Sequence, residues 1–407
     1  MQKRARNQAL VFILFLGFIS LLSDFTHEGA RSIYGSYLGL LGVGAFMISL
    51  VSGLGEFIGQ ALRIVTGIIA DKTRKYWFMM ILGYAVNLLA IPLLALTNES
   101  IWQVALVLIL VERVGKAIRA PAKSALVSFT SPKLGAGKAF AIQEALDQLG
   151  AFLGPLFVFM VLALGDEPTL SHYQLSFALL GIFAILTLVL LVIAKTKYPH
   201  PDEFETRTLI PGFRSSKSFI LYLGAIIFIA FGFIDFPVIA FHLDVTGAIP
   251  AIYIPLLYSV AMGIDALSAL GFGHMYDKIG VKSLVIAILI SMLFAPFIFL
   301  ADGVIALIAG VILWGIGMGA HESILKAVIA QIVVKEKRAT AYGIFNSVFG
   351  LFWFLGSLTI GLLYDRSIVA LVGVSVAAEL IGCGLLVIFI RFKHTEDGAS
   401  LESKNES

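Results

Sequence analysis

The sequence predicts an all-α membrane protein of about twelve transmembrane helices in two pseudo-symmetric six-helix bundles. Three observations predict it: a composition too apolar for a water-soluble chain, a strict alternation of basic and non-basic connections, and a repeat offset by about half the chain. Of 407 residues 59% are hydrophobic and 14% charged, with a mean hydropathy of +0.96. Soluble chains carry about 25% charged residues. Apolar runs of roughly 20 residues, enough to span a bilayer core, recur along almost the whole length.

Short polar breaks place the spans at 8–38, 44–70, 76–96, 101–128, 139–164, 172–195, 218–246, 250–276, 283–301, 304–333, 339–363 and 368–391. The basic start, Lys3, Arg4 and Arg6 before an apolar stretch, imitates a secretory signal. More spans follow it without a small-residue cleavage site, so it reads as the first membrane helix. Domains are expected at 1–195 (N-terminal bundle), 196–217 (central cytoplasmic loop), 218–391 (C-terminal bundle) and 392–407 (cytoplasmic tail).

The connections test this division. Lys72, Arg74 and Lys75, Lys133 and Lys138, Lys195, Lys197, Arg207, Arg214 and Lys217, Lys278 and Lys282, and Lys335, Lys337 and Arg338 all fall in even-numbered connections. The odd-numbered connections hold only Arg366. Basic residues collect on the cytoplasmic side, so both termini are expected there, in a multi-pass protein of the plasma membrane.

The same parity settles the most polar stretch of the first span. Asp24, His27, Glu28 and Arg31 share one helix face at i, i+3, i+4 and i+7. A loop at this point would leave Arg6 and Lys72 on opposite sides. Asp24 stands roughly 25 Å of helix from both Arg6 and the turn near Leu41, so the stripe lies near mid-membrane.

Further charges lie inside spans: Arg63, Arg113, Lys116, Arg119, Lys123 and Lys326, with Glu56, Glu112, Glu144, Asp147, Asp235, Asp265, Glu322 and Glu379. At about 3 kcal/mol each on insertion scales, a set of this size facing lipid would cost on the order of 50 kcal/mol. That exceeds the ~5–15 kcal/mol stability of a typical protein. Most are therefore expected to face a cavity or one another. Glu56, Gln60 and Arg63 share a face of span two, and Glu112, Lys116, Arg119 and Lys123 share a face of span four. Two readings stay open: structural ion pairs, and a proton-coupling or substrate cavity formed by Asp24, His27, Glu28, Arg31, Glu56, Arg113, Lys116, Arg119, Asp147, Asp235 and Asp265.

The halves repeat. Gly67-Ile-Ile-Ala-Asp71-Lys72 follows span two and Gly273-His-Met-Tyr-Asp277-Lys278 follows span eight; Ala139-Phe-Ala-Ile142 pairs with Ala341-Tyr-Gly-Ile344. Duplicated bundles are a transporter architecture. Gly67-x-x-Ala70-Asp71-Lys72-x-Arg74-Lys75 resembles the signature loop of the major facilitator superfamily, and Gly273-x-x-x-Asp277-Lys278-x-Gly280-x-Lys282 resembles its second copy. Gly150-x-x-x-Gly154-Pro155 in span five resembles the core of the family's antiporter motif, without the trailing glycine pair. The resemblance covers the whole chain. It implies a central site between two bundles, gating by the loops at Gly67, Asp71, Lys72, Arg74, Gly273, Asp277 and Lys278, and alternating access.

The expected function is a proton-coupled secondary transporter exporting a small organic or amphipathic molecule. Alternatives are a proton- or cation-coupled symporter of a small anionic solute, drawn by the cations of span four, and a receptor or scaffold that keeps the fold without transport. No enzymatic activity, cofactor, metal, nucleic-acid partner or ATP dependence is expected, and the chain is expected to work as a monomer. His321-Glu322 lacks a second histidine at Leu325, as a metallopeptidase helix requires. No phosphate loop is present. Gly315, Gly317 and Gly319 read as close helix packing. Phe345, Phe349, Phe352 and Trp353 read as an aromatic packing face or as the lining of an apolar site. The lone cysteine, Cys383, excludes a disulfide framework.

Overall fold

Residues 2–128, 136–165, 167–199, 217–333 and 338–405 are described by a computed structural model of the chain. Most of the central connection at 196–217, and Lys133, Lys335 and Lys337, lie outside the described residues. The described chain is helical, in the order α1 (Gln2–Arg31), α2 (Tyr34–Leu40), α3 (Ala45–Thr73), α4 (Tyr76–Leu93), α5 (Trp102–Ser128), α6 (Ala136–Leu162) and α7 (Leu170–Lys197). There follow α8 (Lys217–Gly232), α9 (Phe236–Thr246), α10 (Ile254–Ile279), α11 (Lys282–Ser291), α12 (Phe294–Phe299), α13 (Val304–Ile332), α14 (Arg338–Tyr364) and α15 (Ile368–Asn405).

Among the described residues, eleven segments are long and apolar enough to cross a membrane. The twelfth expected span is α5, whose 27 residues have the length but carry Glu112, Arg113, Lys116, Arg119 and Lys123. Three expected spans are broken: the first into α1 and α2, the seventh into α8 and α9, the ninth into α11 and α12. α15 continues to Asn405 through the stretch expected to be a tail, whose Glu, Ala, Leu and Lys residues favour helix and which contains no proline.

The break in the seventh span is written locally. Asp235 is an N-cap whose Oδ1 accepts from the Phe236 amide at 2.9 Å, and Pro237 sits in the first turn of α9, where its missing N–H costs nothing. The carbonyls freed by the break are met from neighbouring helices. Trp314 Nε1 donates to the Ile234 carbonyl at 2.9 Å and Ser375 Oγ donates to that of Gly232 at 2.6 Å. A membrane interior demands such internal satisfaction.

The chain divides into two compact units, Met1–Thr208 with Asp235–Met262, and Leu209–Ile234 with Gly263–Ser407. The division differs from the expected bundles. The segment Asp235–Met262, assigned by sequence to the C-terminal bundle, belongs with the N-terminal residues because α9 packs on α2 and α3. A Cβ placed on Gly35 of α2 would come within 2.0 Å of the Pro237 carbonyl oxygen, so the two backbones touch.

Within the first unit α1 packs against α6 by glycine contacts. A Cβ on Gly150 would lie 2.2 Å from the Leu21 carbonyl oxygen, and one on Gly154 2.1 Å from that of Phe25. This contact seats one face of α1 on α6, while residues 24, 27, 28 and 31 make the polar contacts described below. In the second unit Gly356 of α14 meets the Phe231 backbone and Gly319 of α13 meets the Asp265 carbonyl. Apolar cores close each unit, around Trp77, Tyr84 and Leu88 in the first and around Tyr222, Ile226 and Leu325 in the second. Large apolar side chains such as Val107, Ile185, Leu270 and Ile305 cover the outside, as a lipid-facing surface requires.

Candidate functional site

The polar stripe of α1 is the axis of a chain of ion pairs in the first unit, each contact built from helices that the glycine packing brings close. At one end, Lys123 Nζ of α5 is 2.6 Å from Asp147 Oδ2 of α6 and also hydrogen-bonds Ser20 Oγ. Gln143 Nε2 donates to the other Asp147 oxygen at 2.8 Å. One turn along α1, Asp24 Oδ1 accepts from Arg119 Nη2 at 3.3 Å, and the Arg119 guanidinium stacks 4.5 Å from the Tyr84 ring centre. The stacking follows from Gly83, whose missing side chain lets the Arg119 backbone pass beside α4.

The middle of the chain is His27, fully buried. Its Nδ1 lies 2.7 Å from Glu112 Oε1 and its Nε2 is 2.9 Å from Lys116 Nζ. An ammonium group only donates, so Nε2 accepts and the ring proton belongs on Nδ1, facing the carboxylate. Glu112 accepts from Asn87 Nδ2 and lies 3.4 Å from Arg113 Nε. Arg113 Nη1 in turn reaches Glu56 Oε2 at 3.3 Å, and Gln60 Nε2 holds the second Glu56 oxygen at 2.7 Å.

At the other end, Glu28 accepts from Tyr258 Oη of α10 at 2.6 Å and stands 3.6 Å from Arg31 Nη1. Arg31 Nη2 donates to Asp235 Oδ1 at 2.6 Å. The two shortest contacts of this end therefore bind α1 to α9 and α10, the segment that precedes and follows residue 247.

His27, Glu28, Arg31, Glu56, Arg113, Lys116 and Asp235 thus stand in one connected set, joined where His27 Nε2 lies 3.5 Å from Glu28 Oε1, while Asp24–Arg119 and Asp147–Lys123 are separate pairs along the same face of α1. Asp265 is buried in the second unit, where its carbonyl abuts Gly319. Glu144, Glu322 and Lys326 are exposed. Glu379 of α15 is fully buried, with its Cγ 3.0 Å from where a Gly232 Cβ would lie.

Sequence reasoning missed Tyr258, Asn87 and Ser20. Asn87 carried a signal, as a lone amide inside the otherwise apolar third span; a tyrosine or serine in a membrane helix carries none. At the loops, Asp71, Lys72 and Arg74 are exposed, and Tyr76 Oη donates to Asp71 Oδ1 at 3.3 Å. Arg74 ends α3 in the left-handed conformation, φ 53°, with its amide bonded to the Ala70 carbonyl. Gly67 packs beside Pro121. Gly273 has open space around it, Asp277 and Lys278 are exposed, and Gly280, φ 61°, closes α10.

A helical chain with eleven membrane-length apolar segments among the described residues and a buried line of ion pairs has the architecture of a multi-pass membrane protein. Comparison with known proteins makes the class specific. The Major Facilitator Superfamily model matches residues 13–357 and 236–406. An uncharacterized MFS-type transporter of Methanocaldococcus jannaschii is 32% identical over 390 residues, covering 93% of this chain and 94% of that one. An uncharacterized protein of Mycobacterium tuberculosis is 37% identical over 376 residues, covering 91% and 90%.

Solved structures share the fold. A bacterial homologue of the human lysosomal transporter Spinster, inward-facing and occupied, matches with a TM-score of 0.69 at 15% identity over 93% of this chain and 96% of that one. A POT family transporter in complex with a thioalcohol-conjugated peptide matches at 0.71 and 13%, covering 94% and 96%. The nucleoside transporter NupG matches at 0.69 and 14%, covering 93% and 98%. The chain belongs to the major facilitator superfamily and is an integral, multi-pass membrane transporter.

Proposed function

We propose that the protein is a proton-coupled secondary transporter of the cell membrane that exports a small organic or amphipathic molecule by alternating access, as a monomer with both termini in the cytoplasm. The observation that carries the coupling is the pair of contacts Arg31–Asp235 and Glu28–Tyr258, each 2.6 Å and buried. They hold α9 and α10 to α1 through groups that bind protons. A proton gained by the pair of carboxylates Glu28 and Asp235 removes one of the two negative charges facing Arg31, so proton uptake and release of this latch are linked thermodynamically. Asp24, paired with Arg119, extends the titratable line toward Asp147.

The engagement of the α5 cations favours this reading over a symporter of an anionic solute. Arg113, Arg119 and Lys123 each face a carboxylate within 3.4 Å, and Lys116 is committed to His27. They neutralise acids of this chain. The sense of transport rests on the Gly150-x-x-x-Gly154-Pro155 motif, whose glycines seat α1, and with it the latch, on α6. The exposed loops at Gly67–Arg74 and Gly273–Lys278 supply the gate on the cytoplasmic side in this reading.

Reconstitution in liposomes tests it, with rhodamine 6G and a panel of amphipathic amines as cargo. An imposed pH gradient without ATP is expected to drive cargo against its gradient, opposite in direction to the proton. Asp24→Asn with Glu28→Gln is expected to abolish that accumulation and spare cargo exchange. Full retention of gradient-driven flux in the double variant would sink the coupling proposal. Flux in the same direction as the proton would transfer support to symport.

A further inference from the structure

The second unit contains polar groups that its own packing leaves unanswered. His321 of α13 is 5% exposed, and neither ring nitrogen has a hydrogen-bond partner among the described residues. Trp353 of α14 is 3% exposed and its indole N–H is likewise without one. Ser357, one turn further along the same face of α14, is buried with its hydroxyl unpartnered. Buried polar atoms without partners are rare, and each costs about 1–3 kcal/mol. The shortage is not general to the region: Trp314, in the same cluster, donates its N–H to the Ile234 carbonyl.

The unanswered groups share one aromatic cluster. The His321 ring stands edge-on to Phe233 with centres 4.7 Å apart, and Phe349 lies 6.3 Å away. Trp353 is 5.4 Å from both Phe349 and Phe233. Phe345 stacks on Phe349 at 5.8 Å. Phe345, Phe349 and Trp353 recur every four residues, so they form one stripe of α14. Phe349 is the half-buried member and offers a ring face from which the cluster is approached. A phenylalanine at 321 would fill the same space with no unsatisfied nitrogens; the imidazole makes chemical sense where something else hydrogen-bonds it.

We propose that this cluster is a cargo subsite for a flat aromatic or heteroaromatic group bearing a hydrogen-bond acceptor and donor. The ring stacks against Phe349, the acceptor takes the Trp353 N–H, and His321 answers the remaining polar group. The inference rests on the transport reading for its purpose, and it names the class of molecule carried. It also places cargo beside Phe233, just past the end of α8.

Equilibrium dialysis with full-length protein in nanodiscs, against empty nanodiscs, tests the subsite without any ion gradient. The probes are hydroxyquinoline (flat and polar), naphthalene (flat only) and cyclohexanol (polar only). Saturable hydroxyquinoline binding is expected, weakened about tenfold by His321→Phe and by Trp353→Phe, each of which removes hydrogen bonding and retains an aromatic ring. Naphthalene binding should be unmoved by those variants and weakened by Phe349→Leu. Both Phe variants should melt at or above the wild-type temperature, which shows that they fold. Absence of saturable hydroxyquinoline binding, or equal binding by wild type and both Phe variants, overturns the subsite. Binding as expected without gradient-driven flux leaves the subsite standing and removes the transport reading; flux unaffected by either variant does the reverse.

Discussion

Asp235→Asn is the sharpest perturbation of the latch. The amide keeps an oxygen for the N-cap bond to Phe236, so α9 retains its start, while the charge opposite Arg31 disappears. Breaking a buried ion pair leaves an uncompensated charge at a cost of about 3–5 kcal/mol. Arg31 keeps Glu28 at 3.6 Å, which lowers the expected cost to about 2–3 kcal/mol. A free-energy change of that size is about a hundredfold in population. Hydrogen–deuterium exchange of the purified protein reads it directly. Amides of Phe236–Thr246 should exchange about 30–100 times faster in the variant, with those of Tyr76–Leu93 unchanged. Arg31→Gln combined with Asp235→Asn should exchange no faster than Asp235→Asn alone, since the pair is already broken. Unchanged protection in α9, or additive effects in the double variant, refutes the latch.

Other expectations follow from the same geometry. Gly154→Val places side-chain atoms against the Phe25 carbonyl and should abolish a folded product by size-exclusion chromatography. Gly224→Ala, with no neighbouring atom within 4 Å, should raise helix stability by about 0.5–1 kcal/mol in a melting assay. Glu379→Met removes a buried carboxyl with no partner among the described residues and should raise the melting temperature, whereas a fall would assign that carboxyl a structural role. Lys123→Met strands Asp147 and should cost about 3 kcal/mol in denaturant melts; Lys123→Met with Asp147→Leu should recover most of it.

Much of this was legible because membrane solvation is unforgiving. Charge asymmetry between alternate connections fixed the span count, and the cost of charge in lipid announced that the α1 stripe would be partnered. The helical spacing of Glu112, Lys116, Arg119 and Lys123 correctly put them on one face. Which acid each cation would meet was not legible, because pairing such as Arg119 with Asp24 depends on the register of two helices separated by some hundred residues. The assignment of Asp235–Met262 to the first unit was hidden for the same reason: sequence duplication divides the chain at its midpoint, whereas packing of α9 on α2 and the reach of Tyr258 to Glu28 are tertiary facts. The break after Gly232 had a visible signal in Asp235-Phe-Pro237. His321 drew attention only as a failed metal motif; its environment, an aromatic cluster with no answering polar group, is three-dimensional information.

The central claim is that proton movement and cargo movement are coupled through the α1 line of carboxylates. Liposomes containing the protein and the pH dye pyranine, given rhodamine 6G across a membrane at zero initial pH gradient, test it most directly. The account predicts that the cargo gradient drives a pH change inside the liposomes, abolished by Asp24→Asn with Glu28→Gln and by no ATP-related treatment. Cargo flux of equal rate in wild type and double variant, with no pH change in either, would contradict it.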